Sequence, residues 1–130
     1  MNWLHLVSYF FGGLFLVNAL PHFVNGIVGK SFQTPFAKPP GTGLSSSTVN
    51  VVWGFANFVV AYALVLLVGQ FDPRSIACAA PFAAGVLLTS LLLGDISVRF
   101  MEAILRSAHE VPSPGALRAS GNFQFASVRA

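Results

Sequence analysis

Uncharged, largely apolar residues run from Leu4 to Ile27, from Val49 to Val68 and from Ile76 to Gly94. A helix needs about 20 apolar residues to cross the hydrocarbon core of a bilayer, so each run predicts one membrane-spanning helix. The first link, Gly29 to Thr48, is dense in proline, glycine and serine and cannot continue a helix; Ser46, Ser47 and Thr48 are the candidate caps for the second span. The second link, Gly69 to Ser75, is a short turn around Asp72 and Pro73, which makes helices two and three expected antiparallel neighbours. Beyond Gly94, Val98, Met101, Leu105 and Ala108 share a face while Arg99, Glu102, Arg106 and His109 lie elsewhere, the pattern of an amphipathic helix over Ser97 to His109 at the membrane surface. From Val111 onward the apolar periodicity is lost.

The expected fold class is therefore an all-α integral membrane protein: three transmembrane helices in an up-down-up bundle, a C-terminal amphipathic interfacial helix and an extended tail. Residues 1–109 are read as one membrane domain and 110–130 as a tail that is extended or docked on a partner. The first span lacks a basic start and a small-residue cleavage site, so it is read as a retained helix, not a signal peptide.

Polar residues inside the spans are the informative exceptions. Asn18, His22 and Asn25 follow i, i+4, i+7 spacing and share a helix face; Asn50, Gly54 and Asn57 repeat it in the second span, flanked by Trp53. In an antiparallel pair, facing residues have numbers with a constant sum. Asn18 with Asn57, His22 with Trp53, and Asn25 with Asn50 all give 75, so these three pairs are the expected contacts of a polar seam. An unpaired amide in hydrocarbon costs several kcal/mol, whereas an interhelical hydrogen bond there contributes roughly 0.6–2 kcal/mol. Gly54 is expected to let the backbones approach beside His22, and Pro21 to leave the Val17 carbonyl without its helical donor. In the third span, Ala80 and Ala84 form a small-xxx-small pair suited to helix packing.

Composition supports the membrane reading: 55% of the 130 residues are hydrophobic and 8% charged, against about a quarter charged in soluble domains. Seven basic residues against four acids give a net charge of +3, but the basic residues are dispersed, so nucleic acid is not an expected partner. With three spans, Lys30, Lys38, Arg99, Arg106, Arg118 and Arg129 fall on one side and Arg74 on the other. The positive-inside bias then places the N-terminus out and the C-terminus in, across what is expected to be a bacterial inner membrane.

Candidate chemistry is sparse. The chain has no Ser-His-Asp set, HExxH, CxxC or phosphate loop, and the single Cys78 cannot form an internal disulfide. No catalytic residue is assigned and no cofactor is implied. His22 is the one seam residue able to ligate a metal or tetrapyrrole, and His5 and His109 are badly placed to be its second ligand. The leading expectation is a non-catalytic accessory or assembly subunit whose partners are the bilayer and either another membrane protein or further copies of itself. The alternative is a binder of a quinone, lipid or pigment in the seam; an oligomeric channel or transporter is weaker, because no chain of buried carboxylates is present.

Overall fold

The computed structural model describes residues 2–40 and 43–110. They divide into two compact units, Met1–Ile96 and a second that begins at Ser97. Three helices are long and apolar enough to cross a membrane: Trp3–Ile27, Ser47–Val68 and Ile76–Ser107.

Helix α1, Trp3–Ile27, starts where Asn2 Oδ1 accepts the Leu4 N–H at 3.3 Å. It stops because Gly29 adopts a φ of 76°, which a residue without Cβ takes at no steric cost. The Gly29 N–H then donates to Gly26 O at 3.1 Å and the Lys30 N–H to Asn25 O at 2.9 Å, the paired closing bonds of a Schellman motif.

The first link folds back on itself as a short hairpin. Strand β1, Phe32–Gln33, pairs antiparallel with β2, Leu44–Ser45, with Phe32 opposite Ser45. Two-residue strands are too short to show an alternating pattern in sequence. Helix α2, Ser47–Tyr62, follows directly, with Ser46 Oγ accepting the Val49 N–H at 3.4 Å.

The last part of the second span, Ala63–Val68, widens into a π-helical segment. The Gly69 N–H reaches back to Leu64 O at 3.0 Å, and α1 supplies donors to this end of the span: the Ser8 hydroxyl to Leu64 O and the Tyr9 hydroxyl to Gly69 O. After a turn in which Asp72 Oδ1 accepts the Arg74 N–H at 2.9 Å, helix α3 runs over Ile76–Glu110. Gly94 does not end it. Residues 97–109, expected to form a separate surface helix, stay within the same helical element, since a lone glycine costs a helix only about 1 kcal/mol. In the second unit Val98, Met101 and Leu105 are exposed. The expected tail from residue 111 lies outside the described residues.

Burial is inverted relative to a water-soluble domain. The largest fully buried side chains are Tyr9, Asn50, Asn57 and Thr34, whereas Leu, Ile, Val and Phe side chains dominate the exposed surface. Such a surface is stable only in an apolar solvent, where amides and hydroxyls turn inward to find one another.

Helix α1 is the shared partner of the other two. It packs along α2, and it meets α3 where Gly13 lies against the Phe82 carbonyl and Val86, and Gly85 against Phe10 and Leu14. A Cβ at Gly85 would collide with the Phe10 carbonyl. The close approach therefore uses Gly85. Ala80 and Ala84 do not pack within the chain; both are exposed.

Gly85→Val should lower stability in detergent by about 1–3 kcal/mol, the usual cost of overpacking a filled contact, while Ala84→Val should leave it unchanged. Graded SDS unfolding followed by circular dichroism measures both, and equal effects would remove Gly85 from the crossing.

Candidate functional site: the polar seam and its loop clamp

The seam forms where α1 and α2 run side by side, with one of the three expected pairs present. Asn18 Nδ2 donates to Asn57 Oδ1 at 3.1 Å, and Asn57 Nδ2 turns back to the Trp53 carbonyl at 2.7 Å. Asn57 is thereby satisfied at both ends of its amide while only 2% exposed.

In place of the other two pairs, these residues take other partners. His22 does not meet Trp53; its Nδ1 lies 3.0 Å from Asn50 Oδ1. Asn25 does not meet Asn50; its Nδ2 donates to the Pro21 carbonyl at 2.7 Å, within its own helix. The reason is proximity: a carbonyl four residues back is always within reach of an asparagine on a helix, whereas a partner across the interface depends on the exact crossing. Trp53 instead meets Phe36 of the first link edge-on, with ring centroids 4.9 Å apart.

Asn50 is the hub. Its Nδ2 faces three carbonyl oxygens, Phe32 at 3.2 Å, Ser45 at 3.1 Å and Ser46 at 3.0 Å. With the NH₂ group fixed on those acceptors, the other end of the amide must be the oxygen, so the His22 nitrogen facing it carries the proton. One fully buried amide thus sets the imidazole tautomer and ties α1, α2 and the hairpin together. The Phe32 ring closes over His22 edge-on at 5.4 Å, and Thr34 Oγ1 bonds Ser45 Oγ at 2.5 Å across the hairpin.

Gly54 does what its position suggested, beside His22: a Cβ there would lie 2.6 Å from the Phe23 backbone nitrogen, so the helices touch backbone to backbone. Among the described residues no group of three or more His, Cys, Asp or Glu side chains could hold a metal ion. Among the described residues three apolar grooves lie on the outside of the helices, and Asn18, His22, Asn25, Asn50 and Asn57 line none of these three. The arrangement can therefore fasten helices and order a loop.

Ser8 and Tyr9 were missed as seam residues. They fasten the other end of the same helix pair, Ser8 to Leu64 with a number sum of 72 and Tyr9 to Gly69 with 78, on either side of the 75 of the asparagine pairs.

The chain matches no protein-family model, no curated protein and no solved structure.

Asn50→Ala should be the most destabilising of the four asparagine substitutions, because it leaves His22 and loop carbonyls without their buried partner, a loss of about 1–3 kcal/mol. Asn25→Ala should be nearly neutral. A double-mutant cycle on Asn18 and Asn57 should give a coupling of about 0.6–1.7 kcal/mol, and the His22 and Trp53 cycle should give none; the reverse order in unfolding assays would contradict the pairing described.

Proposed function

We propose that the chain is a non-catalytic accessory or assembly subunit of a larger membrane complex, sitting in a bacterial inner membrane with its N-terminus out and its C-terminus in. The observation that carries this reading is the use to which the polar groups are put. His22, Asn18, Asn50 and Asn57, the side chains best suited to chemistry or ligand capture, are engaged in holding two helices and a hairpin together. What the fold leaves on its outside is small and apolar: Ala77, Ala80, Ala83 and Ala84 of α3 are exposed, with Leu87, Leu88 and Leu91 beyond them. Small residues on an outer helix face favour close contact with another helix. The dispersed basic residues, six on the loop and tail side against one, support the orientation.

The alternative of a lipophilic ligand held in the seam by His22, Trp53 and Asn57 has less support, since the first and last are bonded to other asparagines and Trp53 lies against the loop. A channel or transporter assembled from several copies has less still: every acidic residue lies at or beyond Asp72, and none falls within the first two spans.

Mild solubilisation and purification through a C-terminal tag should yield a complex whose native mass exceeds that of one chain, with companion chains in fixed ratio. Ala80→Leu with Ala84→Leu should shed the companions without altering the chain's own unfolding. A lone monomer from the unsubstituted protein would refute the proposal.

A further inference from the structure

Counted from Ala77, helix α3 carries a heptad repeat. Its first positions are Ala77, Ala84, Leu91, Val98 and Leu105, and its fourth positions are Ala80, Leu87, Gly94 and Met101. All of these are apolar or glycine, and all are exposed. The residues through which α3 meets α1, Phe82, Gly85 and Val86, fall at the sixth, second and third positions, on the opposite side of the helix. The charged residues of α3 are Asp95, Arg99, Glu102, Arg106 and Glu110, and they fall only at second, fifth and sixth positions.

Lipid accepts apolar side chains on any helix face, so the leucines of the uncharged part need no further partner. The repeat does not stop there. It keeps its register past Gly94 among charged residues, where Val98, Met101 and Leu105 are each more than half exposed. An α-helix drifts about 20° per heptad against a seven-residue repeat, so a stripe held from Ala77 to Leu105 fits a second helix wound around the first. In the uncharged part Ala77, Ala80 and Ala84 allow that helix a close approach.

Orientation, register and charge together identify that helix. The six-to-one bias of basic residues inserts every copy of the chain in the same direction, so the α3 helices of two copies are parallel. A two-fold axis along the membrane normal then sets each first and fourth position against its own counterpart, and the change from uncharged to charged residues falls at the same level in both. In a parallel pair each seventh position faces the fifth position of the partner's next heptad. Ser90 thus faces the partner's Asp95 and Ser97 the partner's Glu102, so acids meet hydroxyls and no like charges oppose at these positions. We propose that two copies of the chain associate through a parallel coiled coil of α3. The pairing rests on the orientation and the outer α3 face of the accessory reading, and it names the partner of that face.

Cys78 is the only cysteine, so Cys78→Ala gives a background for single cysteines, and circular dichroism checks that each variant folds. In membranes oxidised with copper phenanthroline, Ala84→Cys, Leu87→Cys, Val98→Cys, Met101→Cys and Leu105→Cys should each give a disulfide-linked dimer. Leu92→Cys, Ala103→Cys and Ser107→Cys, exposed at other heptad positions, should not. Adding Met101→Glu should abolish the Val98→Cys dimer, because it places two carboxylates in one layer of the pair. Dimers formed equally at both sets of positions, or at neither, would overturn the proposal, as would cross-links to other proteins alone. Native mass separates the pairing from the accessory role: one copy among other proteins would overturn the pairing and leave that role standing, whereas two copies without other chains would do the reverse.

Discussion

The structure depends on the buried amide of Asn50. Its side chain contacts three separate parts of the fold at once: the imidazole of α1, the carbonyls of Phe32 and Ser45 in the hairpin, and the Ser46 carbonyl at the head of its own helix. The Ser46 carbonyl also accepts the Asn50 backbone N–H at 3.1 Å, so the amide matters most to the imidazole and the hairpin, in surroundings where an unmade hydrogen bond costs far more than a made one contributes. The amide is directional, with an oxygen at one end and two N–H groups at the other, so it also fixes orientation. The His22 tautomer and the seat of the first link on the helix pair both follow from it.

The same physics governs the other end of the α1 and α2 pair. There the hydroxyls of Ser8 and Tyr9 take the carbonyls of Leu64 and Gly69 around a widened helical turn. Polar contacts thus fasten α1 to the second span near both of its ends, and between them Gly12 and Gly13 bring α1 close to both of its neighbours. Hydrophobic burial cannot provide this specificity in a membrane, because lipid tails are as apolar as leucine; close packing and hydrogen bonds remain. The exposed leucines and valines keep the chain in the bilayer, while the buried asparagines, tyrosine and glycines select one arrangement within it.

This division of labour bears on function. Side chains that in another setting would bind a ligand are here committed to the fold, and the features left for interaction lie on the outside. On α3 these are an alanine-rich face, and on α2 an apolar groove bounded by Phe36 and Trp53.

The sequence by itself determined three spans, the end of α1 near Ile27, a cap within Ser46 to Thr48, and two polar stripes able to meet, because each of these rests on local periodicity or on residue chemistry within a few positions. It also foresaw the Asn18 and Asn57 bond, which lies where the helices run side by side and a constant sum is a good guide. Only the tertiary structure decided that Asn50 turns to His22 and the loop, that Asn25 is retained by Pro21, that Trp53 goes to Phe36, and that α3 crosses α1 through Gly85. The reason is geometric. A returning loop offers carbonyls that no linear spacing encodes, and a shift of one residue in a helix crossing, worth about 100° of rotation, changes which side chains face each other.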